Sequence, residues 1–182
     1  MNAAPDNDPA DSDLIARWRR GDERAATTLV ERHAQAIARF TASLGEREGA
    51  DEVVQDTFVR AFGSIDSFRG DSLFRTWLFT IARRLVLDRR RARRRKPETL
   101  DVDDGDASTE YDALDGMIAD ESAQRMREAI GRLTPTQRDV FTLRVNEGLS
   151  YREIAEVAGT TEGAARVHYH NALRLVKETL YV

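Results

Sequence analysis

Two segments far apart in the chain hold the residue types that could do chemistry. The first, Phe68-Arg69-Gly70-Asp71-Ser72-Leu73-Phe74-Arg75-Thr76-Trp77-Leu78-Phe79, sets flat rings among cations. Rings stack on unpaired bases and arginines neutralise phosphate, so this run suits single-stranded nucleic acid. The second, Leu149-Ser150-Tyr151-Arg152-Glu153-Ile154-Ala155-Glu156-Val157-Ala158-Gly159-Thr160-Thr161, reads as a short helix, a turn carrying Gly159 and the start of a longer helix. That is the pattern of a helix-turn-helix, whose second helix fits a duplex major groove. Reading duplex DNA at one site and holding opened strands at another are tasks that meet in transcription initiation.

Other chemistries find little support. The 182 residues include no Cys, which excludes disulfides, Cys-ligated zinc and thiol catalysis. His168 and His170 stand two apart on a helix and point in different directions, so they make no metal site. Acidic pairs such as Asp103-Asp104 lie in a segment too flexible to hold coordination geometry. No rigid element carries a clustered acid, base and metal set, so no catalytic residue, metal or cofactor is expected and a nuclease is the poorer reading. A helix-turn-helix regulator acting without a polymerase would leave the aromatic run unexplained. No apolar run approaches the roughly 18 residues of a membrane span. The first thirteen residues carry Asp6, Asp8, Asp11 and Asp13 without Lys or Arg, the wrong charge for a secretory signal, so a cytoplasmic protein is expected.

The elements that must position the two segments follow from charge and periodicity. The net charge is only -4, but it is segregated: nine cations stand against Asp88 from Arg83 to Lys96, and ten acids without a Lys or Arg follow from Pro97 to Ser122. So many like charges exceed what a helix C-terminus favours, and the basic run points to a polyanion. The acidic stretch has too few large apolar groups to offset the entropy of ordering it, and reads as a flexible acidic linker over 97–121, following a domain over 13–96 and preceding one over 122–182; residues 1–12 read as an acidic disordered tail. In the first domain, Leu14, Ile15 and Trp18, then Ala26, Leu29, Val30, His33, Ile37 and Phe40, then Val53, Val54, Thr57, Phe58, Ala61 and Phe62 recur at helical spacing, and a fourth helix starts near Asp71 or Ser72. In the second, a helix is expected around Ser122 to Leu133, and Thr134-Pro135-Thr136-Gln137 and Ser150-Tyr151-Arg152-Glu153 read as capping boxes opening helices at Pro135 and Tyr151. A last helix runs from after Thr161 to about Leu180, with Tyr169, Ala172 and Val176 on its inner face. With no period-two pattern anywhere, the fold class is all-α, in two small helical domains.

These motifs, in this order, resemble the two-domain, extracytoplasmic-function (ECF) group of bacterial sigma-70 factors, over nearly all of the chain from Asp13 to Leu180. Ala50 to Ala61 resembles the family's region 2.2, Phe68 to Arg83 regions 2.3 and 2.4, and Leu133 to Arg138 with the helix-turn-helix region 4. The resemblance implies a non-enzymatic initiation factor that binds core RNA polymerase, brings it to promoters and helps open the DNA, nucleotide transfer being the polymerase's. It implies that Asp51, Glu52, Gln55, Asp56 and Phe58 dock on the beta-prime clamp helices, and that the second domain meets the beta flap. It implies that Phe68, Arg69, Gly70, Asp71 and Ser72 capture a flipped minus-10 base, with Arg75, Trp77, Arg83 and Arg84 where the promoter opens. Arg152, Thr161, Glu162, Arg166, His168 and His170 would meet the minus-35 groove, and a cognate anti-sigma factor is the expected regulator. Arg84 stands where many members carry Asn, and the recognition helix is poorer in Arg and Lys than the common family pattern.

Overall fold

A computed structural model describes residues 10–46, 49–95 and 117–180. The tail up to residue 9, Lys96 and the acidic segment 97–116 lie outside the described residues, and with them the expectations of a disordered tail and a flexible linker. Every regular element among the described residues is helical: α1 (Asp11–Arg19), α2 (Glu23–Ser43), α3 (Ala50–Gly63), a 3-10 turn (Ile65–Ser67), α4 (Phe74–Arg95), α5 (Met117–Gly131), α6 (Pro135–Val145), α7 (Tyr151–Ala158) and α8 (Glu162–Leu180).

The helix boundaries have local causes. α1 opens on Asp11 and Asp13 and closes on Arg17 and Arg19, each sign at the end of the helix dipole that favours it. The chain then reverses through Gly21, at φ 88°, and Asp22 caps α2 by accepting from the Arg24 amide while Arg17 donates to its carboxylate at 2.9 Å. Both capping boxes form: Thr134 opens α6 and Ser150 opens α7, each with reciprocal bonds to the residue three positions on. Gly159, in the left-handed region at φ 66°, ends α7, and the Thr161 hydroxyl accepts from the Ala164 amide to start α8. Two expected boundaries move. α4 begins at Phe74, a turn later than Asp71. α5 begins at Met117 rather than near Ser122, because Met117-Ile118-Ala119-Asp120-Glu121 is rich in good helix formers despite its acidity.

α1 to α4 pack around Leu29, Ile37, Phe40, Val53, Leu78, Phe79 and Val86, with Phe40 edge-on to Phe79 at 5.2 Å. α8 is crossed by α5, α6 and α7, and a small cluster of Ala129, Leu133, Phe141, Ala172 and Val176 fills that junction, as the inner face expected of α8 requires. The two helical units do not stand apart. α4 packs on α7 and α2 on α6, and one continuous core joins the first unit to Val140, Leu143, Leu149, Ile154 and Val157 of the second. Full burial of a side chain such as Ile154 is worth about 1.5–3 kcal/mol, so the seam between the units is an apolar contact before it is a charged one.

Candidate nucleic-acid and polymerase interfaces

The aromatic run splits into a loop and the first turns of α4. Gly70, at φ 80°, provides a left-handed turn that a side chain would strain. Arg19, from the end of α1, donates to the carbonyls of Ile65 and Phe68 at 2.8 and 2.9 Å and pins the start of the loop. Phe68 is half-buried, its ring 5.6 Å from Phe74 and 5.2 Å from Trp77. The three rings form one cluster, supported below Phe74 by His33, whose Nε2 is 2.8 Å from Asp11. Burial pushes the Asp11 carboxyl up, but the His33 bond and charge and then Arg32 outweigh it and hold the acid below its usual range. Above the rings lies a cleft of about 160 Å³, lined by Ser67 to Ser72, Trp77 and, from the second unit, Glu156. Arg69, Gly70 and Asp71 are exposed on its rim and Ser72 is half-buried.

Farther along α4, the cations expected at the opening DNA are engaged by carboxylates of the second unit. Thr76 Oγ1 donates to Glu153 Oε1 at 3.1 Å and Arg75 Nη2 reaches the same oxygen at 3.4 Å, while the buried Arg75 Nε has no partner. The other oxygen of Glu153 accepts from the Ser150 amide and hydroxyl, both at 2.7 Å, so the capping box aims this carboxylate at α4. Burial raises the Glu153 pKa, yet the Ser150 bonds, Thr76 and the Arg75 charge together bring it below the usual value. Arg83 Nε donates to Asp139 Oδ2 at 2.8 Å, with the Asp139 side chain only 6% exposed. There burial wins: it pushes the Asp139 carboxyl up despite the bond and charge of Arg83 and the nearby Arg90 and Arg138. Arg39 on α2 grips Glu147, 8% exposed, through Nε and Nη2 at 3.2–3.3 Å. Arg84 faces solvent.

The α3 face is different. Asp51, Glu52 and Gln55 are exposed and Asp56 is half-exposed, one helical turn apart along one side. Arg89 from α4 bridges Glu52 at 3.3 Å and Asp56 at 3.0 Å without covering them, and Glu52 remains 75% exposed. Phe58 departs from the expected docking set: at 5% exposure it is a core residue stacked on Phe62. The basic run of α4 thus partly serves the chain itself, since Arg93 also pairs with the buried Glu46. Arg91, Arg94 and Arg95 stay exposed toward solvent.

On the helix-turn-helix, Arg152, Thr161, Glu162, Arg166 and His170 are exposed and His168 is half-buried. Arg166 bonds Glu162 at 3.0 Å and lies 5.1 Å above the Tyr151 ring, which Arg144 also approaches at 4.9 Å. Among the described residues no cluster of three His, Cys, Asp or Glu could hold a metal. Sequence reasoning missed Arg19, Arg39, Asp139, Glu147 and the outward role of Glu153; only the last left a local trace, as the third helical residue of a capping box.

A fold that is helical in every regular element of the described residues, with a ring-lined cleft where the first unit meets α7 and a helix-turn-helix in the second, suits a protein that handles duplex and opened DNA. Comparison with known proteins agrees. Residues 29–96 match the Sigma-70 region 2 family and residues 123–176 the Sigma-70, region 4 family. The chain is 30% identical to an ECF RNA polymerase sigma-E factor of Haemophilus influenzae over 179 residues, covering 93% of this chain and 95% of that one. It is 33% identical to the ECF RNA polymerase sigma-E factor of Escherichia coli K12, covering 86% of each. Among solved structures it is similar to CnrH in complex with the cytosolic domain of CnrY, with TM-score 0.68, 30% identity and coverage of 94% and 97%. It is also similar to the sigma factor RpoE in complex with the anti-sigma factor NepR from Bartonella quintana, with TM-score 0.67, 26% identity and coverage of 88% and 98%. The chain belongs to the ECF RNA polymerase sigma factors of the sigma-70 family. It is a transcription initiation factor whose partners are core RNA polymerase and promoter DNA.

Proposed function

We propose that the three surfaces divide the work of initiation. The α3 face of Asp51, Glu52, Gln55 and Asp56 docks on the beta-prime clamp helices, with Phe58 shaping the helix from beneath. The loop Phe68 to Ser72 takes a flipped non-template base of the minus-10 element against Phe68 and Trp77, while Arg75, Arg83 and Arg84 meet the backbone where strands part. The second unit contacts the beta flap and lays α8 in the minus-35 groove, with Arg152, Thr161, Glu162, Arg166, His168 and His170 at or near the DNA. The working division is a promoter-opening domain over 13–96 and a minus-35 domain from 117 onward, with nucleotide transfer left to the polymerase in the cytoplasm. No described helix is long and apolar enough to cross a membrane. An anti-sigma factor is the fitting regulator, since the similar RpoE structure is a complex with one.

The observation that carries this reading is the cleft bounded by the Gly70 loop and Trp77. Run-off transcription with purified core polymerase and a promoter library tests it. Transcripts should start from a defined subset of promoters and fall when Phe68 is changed to Ala, while core binding holds. Transcription indifferent to Phe68→Ala would remove the loop from promoter opening.

A further inference from the structure

α1 contributes no lining to the base cleft, yet its last turn reaches the chain where the cleft begins. Three consecutive side chains there hold three different elements. Arg17 bonds the Asp22 carboxylate that caps α2, Trp18 packs 5.2 Å from Phe62 of α3, and Arg19 Nη2 donates to the carbonyls of Ile65 and Phe68 at 2.8 and 2.9 Å. That amine has two hydrogens, so the loop engages it fully. The Ile65 carbonyl also accepts from the Phe68 amide at 3.1 Å, so Arg19 ties both ends of the 3-10 turn to α1. Phe68 is thus held twice, its ring by Phe74 and Trp77 of α4 and its carbonyl by α1. Beyond that anchor Arg69, Gly70 and Asp71 are exposed, and Gly70 takes the left-handed turn. We propose that Arg19 is a positioning residue for base capture: by fixing the Ile65 and Phe68 carbonyls it sets the peptide leaving Phe68 and keeps that ring beside Trp77 for an incoming base. This rests on the reading of Phe68 and Trp77 as the base-capturing rings.

The effect is one of preorganisation. A ring on an unanchored loop must be ordered when the base arrives, and the entropy of ordering it subtracts from the stacking it gains. With Arg19 in place, that ordering precedes the DNA. Ile65 is buried at 6% exposure, so the anchor belongs to the core and not to the loop. A carbonyl that accepts from a cation is also held more firmly than one that accepts from a neutral donor. Lys at this position keeps the charge, but its ammonium ends one bond nearer the backbone and falls short of the carbonyls. Because Nη2 serves the loop, Arg19 acts through Phe68 and not on phosphate.

The test uses holoenzyme formed from the full chain and core polymerase, on a promoter recovered from the run-off library. Open-complex formation is read as permanganate reactivity of promoter thymines over a range of salt. Arg19→Met removes both bonds while keeping the stem, and should lower the opening equilibrium about tenfold, by no more than Phe68→Ala does. Arg19→Lys should be nearly as impaired, while both variants keep the parent's affinity for core polymerase. The decisive measurement is a double-mutant cycle: in a Phe68→Ala background, Arg19→Met should lower opening by less than about a further twofold, because the ring it positions is gone. Losses that multiply, or a matching loss of core affinity, would make Arg19 a general support of the fold and overturn the positioning role. Rescue by Arg19→Lys, with a salt slope shallower by about one in Arg19→Met, would mark a phosphate contact and overturn it too. Parent-like opening by Arg19→Met overturns it outright. In each of these cases an impaired Phe68→Ala leaves base capture standing and only the role of Arg19 fails; if Phe68→Ala opens the promoter like the parent, base capture by this ring fails and the positioning role with it.

Discussion

The α3 face and the α4 face are both charged and both predicted to bind partners, yet the fold treats them oppositely. On α3, Asp51, Glu52 and Gln55 project into solvent, and Arg89 braces Glu52 and Asp56 from the side. On α4, Arg75 and Arg83 are turned into the seam by Glu153 and Asp139. The difference teaches that charge in a sequence announces what a surface can attract and not whether it is available. One face is open as folded, and the other is engaged across the seam.

The comparison breaks most severely at Arg83. Arg83→Ala leaves Asp139 buried without its cation, which should destabilise the protein by about 3–5 kcal/mol in urea unfolding at neutral pH. Burial already raises the Asp139 pKa, so its protonated form is favoured in the fold; its contribution is largest below the usual carboxylate range and fades as pH rises through the folded value. The loss in Arg83→Ala should therefore shrink on acidification. A pH-independent deficit would mean that Asp139 is solvated and the α4 face is not tied down there.

On the same face, Phe68→Ala should weaken promoter opening by about 1–3 kcal/mol, the worth of one stacked base, measured as permanganate reactivity of promoter thymines. Core affinity should hold, since Phe68 lies on α4's side of the molecule and not on the α3 face. Arg166→Ala sharpens the contrast from the other DNA surface: about 1–3 kcal/mol of discrimination should disappear at one minus-35 position in a promoter selection, and a uniform loss with a shallower salt dependence would instead mark a phosphate contact.

On the open face the effect should be smaller and confined. Asp56→Ala should reduce affinity for core polymerase about tenfold, or about 1.4 kcal/mol, in a fluorescence titration, without changing single-stranded DNA binding. An equal effect on both ligands would mean that the two faces are coupled. The smallest expected effect is at Glu153, whose lowered pKa gives stability that is present above the usual carboxylate range and lost as pH falls through the folded value. Thermal melts of Glu153→Gln should run parallel to the parent in acid and fall below it by a few degrees near neutrality, about what 1 kcal/mol is worth in a chain of this size.

The sequence by itself determined the elements, because their causes lie within a few residues. Thr134 and Ser150 find their capping partners three positions away, Gly159 supplies the left-handed turn of the helix-turn-helix, and the stripe from Leu29 through Ile37 to Phe40 repeats with the helical period. The ring-and-arginine loop was legible for the same reason: its chemistry is contiguous, from Phe68 to Trp77. Only the tertiary structure decided what those groups face. Arg83 meets Asp139 across 56 residues, Thr76 meets Glu153 across 77 and Arg39 meets Glu147 across 108. A carboxylate looks the same in sequence whether solvent or a distant guanidinium awaits it, and the entropy of closing such a loop grows only slowly with length, so spacing leaves no mark of the partner. Phe58 went to the core, and Glu153 and Glu156 went to α4 and the cleft beside it, because one continuous apolar core fixes how α7 lies on α4 and carries the acids there with it.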